Sequence, residues 1–192
     1  MYPANITVET PAKMDRWRPL VQWILAFPHM IIAGALGSVS SAVGLISWFI
    51  ILLTGKLPEG LANVQVLILR YTARAQLYAG FMFEEYPPFD FTMSTEDPGG
   101  SPVVLDVIPA LDDRNRLTVG LRFFWLIPAW FYTMLIGLIG AICWVIAFFA
   151  VLFTGSWPDG LRSWVMKLNR VGIRFQAYAL LLTDEYPPFA SD

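Results

Sequence analysis

Charge, histidine and cysteine are what this chain has least of. Acidic and basic residues together make up 15% of 192 positions, where soluble chains carry about 25%. Cys143 is the one cysteine and His29 the one histidine. A single cysteine excludes an intrachain disulfide, and no Cys/His set with metal-ligand spacing can be assembled. No nucleophile stands beside a base, and no carboxylate pair lies in an apolar stretch. No catalytic residue, cofactor or metal is therefore expected, and the chain reads as a non-enzyme. A formal net charge of −2 leaves no electrostatic footprint for nucleic acid. The opening residues Met1-Tyr2-Pro3-Ala4-Asn5 lack the basic stretch and cleavage site of a signal peptide, so none is expected.

Hydrophobic residues, by contrast, make up 56% of the chain. Leu20 to Leu53 is a run of 34 residues without a formal charge, and Phe123 to Phe153 is a second run of 31. About 20 apolar residues of helix cover the ~30 Å hydrocarbon core of a bilayer, so both runs read as membrane segments.

The chain is also written twice. Displaced by 100 positions, Arg16–Phe89 aligns with Arg116–Phe189 without a gap, and 21 of the 74 pairs are identical. Glu85-Tyr86-Pro87-Pro88-Phe89 returns whole as Glu185-Tyr186-Pro187-Pro188-Phe189. This divides the chain into unit 1 (1–90), an acidic Pro/Gly linker (91–101) and unit 2 (102–192).

Each unit opens with a β-branched segment ending in proline, Asn5–Thr10 and Val103–Ile108, read as a short strand outside the membrane. The two strands are expected to pair with each other or with a partner chain, since a lone strand is unstable. The apolar run follows. As one straight helix of 34 residues it would reach about 51 Å, beyond a bilayer core. Two solutions are open: an interfacial lead-in (Pro19 to Pro28) before one span from about Met30 to Leu53, or a bend at the shared Gly37/Gly137 that makes a membrane-inserted hairpin. Small residues near the bend (Gly34, Gly37, Ser38, Ser40, Ser41, Gly44) equally allow close helix packing.

Thr54-Gly55 and Pro58-Glu59-Gly60-Leu61, matched by Thr154-Gly155 and Pro158-Asp159-Gly160-Leu161, form a helix-to-helix connector. A second helix then spans about Leu61–Phe83 and Leu161–Leu182. Arg70 and Arg74 share one face with Asn63, and Lys167, Arg170 and Arg174 share the equivalent face with Ser163. A basic stripe between apolar flanks predicts an amphipathic helix at the lipid headgroups. The alternative sends this helix through the bilayer with its arginines buried and paired. Tyr86, Phe89, Tyr186 and Phe189, beside prolines that end the helix, are candidates for interface anchoring or partner docking.

Both units begin with basic residues (Lys13, Arg16, Arg18; Arg114, Arg116, Arg122), which places both starts on the cytoplasmic side. That favours two units in parallel orientation over an inverted pair. The sequence therefore predicts an all-α integral membrane protein, duplicated in tandem. Each unit is an apolar helix or bent hairpin plus an interfacial helix, preceded by a short strand.

The order strand, Asp-Arg, apolar run, Phe153-Thr154-Gly155, Pro-acid-Gly-Leu, Arg-rich helix and Glu-Tyr-Pro-Pro-Phe resembles the bacterial membrane proteins of the "domain of unknown function 4389" family, over nearly the whole chain. Leu53 stands where the family pattern favours Phe before Thr-Gly, and Pro28-His29 fits its Pro-His. The resemblance implies a bacterial inner-membrane protein and no assigned activity. The expected function is an accessory or scaffold subunit, packed against other membrane subunits or copies of itself. The alternative is a membrane-organising protein whose stripes hold anionic lipid, and a small channel or carrier is a third reading.

Overall fold

A computed structural model describes residues 2–189, so Met1 and the end of unit 2, 190–192, lie outside it. The chain runs β1 (Ala4–Val8), α1 (Arg18–Leu25), α2 (Phe27–Thr54), α3 (Glu59–Ala79), β2 (Val103–Val107), α4 (Arg116–Gly120), α5 (Arg122–Thr154), α6 (Asp159–Ala179). The two long apolar helices, α2 and α5, are long and apolar enough to cross a membrane.

The connectors form as their residues dictate. Thr54 and Thr154 donate from their hydroxyls to Ile50 and Ala150 carbonyls at 2.7 Å, and Gly55 and Gly155 end the helices at φ +73° and +72°. A side chain is excluded there twice over, by the left-handed backbone and by close approach. A Cβ on Gly55 would lie 3.2 Å from Arg116 Nε, and one on Gly155 would lie 3.0 Å from the Met14 carbonyl.

The helix is continuous from Phe27 to Thr54 in unit 1 and from Arg122 to Thr154 in unit 2, which overturns the bent hairpin. Gly37 and Gly137 stay helical and have room around them. The break falls earlier, at Ala26 in unit 1 and at Leu121 in unit 2, where α5 continues through Pro128. The small residues serve close packing instead. Buried positions on α2 (His29, Ser40, Ser47, Ile51) recur on α5 as Ala129, Gly140, Ala147 and Val151. With Ala33 on α2 and Arg122 on α5, this narrow stripe is what each apolar helix buries, and at Gly140 an added Cβ would overlap Leu168 of α6.

The second helix is not an open interfacial helix. In α3, 13 of 21 residues are buried, Arg70 and Arg74 among them. Gln65 accepts from the Ser40 hydroxyl of α2 at 2.5 Å, while Arg74 donates to the Val103 carbonyl of β2 at 3.4 Å. Nine residues apart, these two project from opposite sides of α3, which is therefore sandwiched between α2 and the strand layer.

β1 and β2 pair antiparallel with each other, Ile6 opposite Leu105. One face of this ribbon (Ala4, Ile6, Val103, Leu105, Val107) is buried. β2 packs on α3 of unit 1 and β1 on α6 of unit 2. The units exchange other parts in the same reciprocal way: the Met14 amide donates to Gly155 O at 2.7 Å and the Arg114 amide to Gly55 O at 3.0 Å. Phe81, at the end of α3, stacks on Trp144 and Trp157 of unit 2 at 5.4 and 5.3 Å. The start of each unit thus sits at the far end of the other's apolar helix, so α2 and α5 run in opposite senses. The hydrophobic core crosses both units, and no separable domain boundary divides it.

Because Ile6 is fully buried beneath both units, Ile6→Ala should cost about 2–4 kcal/mol. Thr7→Ala, on the exposed face of the same strand, should change stability by less than about 0.5 kcal/mol. Thermal unfolding in detergent measures both, with units 1 and 2 expected to melt together.

Candidate functional site

Three polar constellations stand out. The first is a clamp on α3. Arg74 donates to Asp97 at 2.6 Å and to Asp90 at 3.4 Å. Arg70 donates to the carbonyls of Ser94 and Glu96 at 2.8 and 2.9 Å, and its Nε lies 3.6 Å from Asp97. Asp97 in turn accepts from the amides of Gly99 and Leu105 at 2.9 and 3.0 Å. Arg70 and Arg74 are 2% and 3% exposed, so the linker has closed over them. Burial acts to raise the Asp90 carboxyl, but hydrogen bonds from Thr92 and the Arg74 and Arg70 charges outweigh it and hold it below its ordinary value.

The second constellation lies past the ends of α3 and α6. Arg114 grips Asp184 through two hydrogen bonds of 2.7 and 2.9 Å, and Arg122 adds one of 2.6 Å. Burial acts to raise this carboxyl. Bonds from Arg114, the Arg114 charge, the Asn115 amide and Arg122 overcome that and pull it below the usual carboxylate range. In unit 1 Glu84 takes the equivalent place, accepting from the Asp15 amide at 2.8 Å with Arg18 at 3.5 Å. Gln22, opposite Arg122 in the alignment, donates to the Phe83 carbonyl at 2.5 Å.

The third is an aromatic cage. His29 Nδ1 is 2.8 Å from the Tyr71 hydroxyl, and its ring stacks on Phe89 at 4.2 Å with Tyr86 at 4.8 Å. His29 is 1% exposed, so it is packed inside the fold. In unit 2 Tyr132 donates to the Phe189 carbonyl, and Tyr186 packs edge-on against Tyr178. The Tyr-Pro-Pro-Phe ends therefore fold back onto their own units. One face of Phe89 and of Phe189 stays open to the surroundings.

The sequence-predicted stripes fare unevenly. Arg70, Arg74 and Arg174 are buried, which removes them from an open headgroup-facing surface. The Arg174 guanidinium is 5.6 Å from the Tyr2 ring, while Lys167 stands 5.3 Å over Trp164 and Arg170 is half-buried. Arg114 and Arg122, read from the sequence as markers of the cytoplasmic side, hold Asp184, while Asp90 and Asp97 from the linker hold Arg74. The repeated acid at 84/184 was the available signal, but its partners come from the unit starts, about 65 residues away in sequence, and not from the stripe.

Replacing Arg74 by Ala leaves the buried Asp97 with only the longer cation contact, to Arg70, and should cost about 3–5 kcal/mol in denaturant unfolding. The Asp184 carboxyl is depressed in the folded state. Its contribution is complete above the unfolded value near ~3.9 and is lost as pH falls through the lower folded value. Asp184→Asn should therefore flatten the acid limb of a stability–pH curve below about pH 4.

Comparison with curated proteins and with solved structures found no match. The family model described as Domain of unknown function (DUF4389) matches twice, over residues 16–90 and 116–191, inside units 1 and 2 but without their opening strands. The chain is a tandem pair of these domains and belongs to the DUF4389 family.

Proposed function

We propose that the protein is a non-catalytic membrane protein that serves as an accessory or scaffold subunit, in the bacterial inner membrane, with its basic unit starts on the cytoplasmic side. The observation that carries this reading is the segregation of the surface. Large exposed apolar side chains crowd α1, α2 and α5, with Leu53 at 77% and Phe124 at 71% exposed. Among the described residues α3 has none and α6 has only Trp164. Sixteen of them on α5 alone form a surface far larger than water tolerates on a soluble chain. Arginines and carboxylates, meanwhile, are spent on each other inside the fold. That leaves a shape-bearing apolar surface and no assembled chemical centre, which suits a packing role better than turnover or transport.

The burial of Arg70 and Arg74 weighs against the anionic-lipid reading, which needs both free. Alkaline carbonate washing of membranes should leave the protein in the pellet, and release into the supernatant would contradict embedding. A photo-crosslinking residue at Phe89 or Phe189, both half-exposed and outside the apolar helices, should give protein adducts, either with a second copy or with another subunit. Adducts to lipid alone would contradict the scaffold role.

A further inference from the structure

The apolar helices were read as spans because of their length, yet the rest of the fold has to share whatever depth they occupy. α6 lies along α5 for its whole course. The two meet at the Gly155–Asp159 turn, at Gly140 against Leu168, and at the far end where Arg122 stands 3.9 Å over the Tyr178 ring. α3 follows α2 likewise, from the turn at Gly55 through Ser40–Gln65 to His29–Tyr71. The ribbon extends along the same axis: Tyr2, before β1, reaches Glu185 at one end of the fold, and Met14, after it, reaches Gly155 at the other.

Upright helices would therefore carry the ribbon through the hydrocarbon. A two-stranded ribbon has two open edges, and unpaired backbone groups in lipid cost several kcal/mol each, so open edges do not occur there. The exposed Asp106 of β2, half-buried Lys167 and Arg170, and the linker acids Asp90 and Glu96 would sink with it, at about 2.5–3.5 kcal/mol for each charge near the centre. Length argues the same way: the 33 residues of α5 reach about 50 Å against a ~30 Å core. Laid flat, the helices have no length to match. The buried face of the ribbon covers both α3 and α6, and α2 and α5 lie beneath these, on the side away from it. Their open faces thus form one apolar floor, and the charges form one polar roof.

We infer that the protein is monotopic, with α2 and α5 lying side by side in the membrane plane, their outer faces sunk into one leaflet, and the ribbon and linker facing water. Exposed Trp17, Trp23, Trp125 and Trp130 on this floor are suited to the headgroup boundary, where indole rings collect. The occupant of the apolar face is thus the acyl layer of a single leaflet, entered to about 5–10 Å. α2 and α5 run in opposite senses, so the two connectors lie at opposite ends of the fold without lying on opposite sides of the membrane.

This inference rests on the membrane embedding proposed above, and one experiment separates the two. Single cysteines at Lys56, Ser156 and Thr7 in a Cys143→Ser background are treated with a membrane-impermeant maleimide in sealed right-side-out and inside-out vesicles. All three should label from the same face and none from the other. Lys56→Cys and Ser156→Cys labelling from opposite faces, or Thr7→Cys shielded from both, would overturn the flat arrangement while leaving embedding intact. Protein lost from washed vesicles before labelling would instead refute the embedding itself and the inference with it. The labelling variants must keep wild-type thermal unfolding, which the exposure of Lys56 and Thr7 leads us to expect.

Discussion

Arg74 donates to Asp97 at 2.6 Å from within the fold, with Arg70 beside it and both side chains 3% exposed. Two cations this deeply covered are tolerable only if carboxylates and carbonyls are brought to them. The linker brings them, and the consequences propagate. Fixing Asp97 over α3 fixes the entry of β2, because the Leu105 amide bonds the same carboxylate. β2 then pairs with β1, and β1 covers α6 of the other unit. One ion cluster thus sets the linker, the ribbon and the docking of the two halves. The apolar helices are left as the outer layer by default, since every other surface is already used.

Duplication explains how so polar a centre is held by so short a chain. The units trade strands and unit starts, so each supplies what the other cannot cover alone. Gly55 against the Arg116 side chain and Gly155 against the Arg16 side chain are the same contact made twice. The copies have also diverged. Where unit 2 holds Asp184 with Arg114 and Arg122, unit 1 has Glu84 with Arg18, and a neutral Gln22 in the third place. His29 with Tyr71 in unit 1 is replaced by Ala129 and Val171, and Tyr132 from the next turn of helix reaches Phe189 instead. Conserved between copies is a way of closing the end of each unit, reached with different side chains.

The sequence carried the local features because their causes are local. Thr-Gly-x-x-Pro marks a helix end and a helix start wherever it occurs; β2 falls inside its β-branched, proline-ended segment, and β1 starts one residue before the segment expected from Asn5. Gly37 misled because glycine permits a turn without requiring one: it stays helical, and nothing lies within 4 Å of a Cβ added there. The basic stripe misled for a different reason. Helical periodicity says which residues share a face, and not what covers that face. Asp97 lies 23 residues beyond Arg74 in a linker with no periodicity at all. The reciprocal exchange was likewise invisible, since partners such as Trp157 and Phe81 are 76 positions apart.

Taken with the outer apolar layer, the covered ion cluster turns a question about sequence length into one about direction. Runs long enough to cross a bilayer belong here to a fold whose polar layer extends parallel to them, and a polar layer cannot follow them into hydrocarbon. The orientation of the helix axes is therefore the quantity on which the account stands. Polarised infrared dichroism of the protein in aligned bilayers reads it directly. The account predicts an amide signal from helix axes lying in the plane of the membrane. Dichroism from axes along the membrane normal would contradict it.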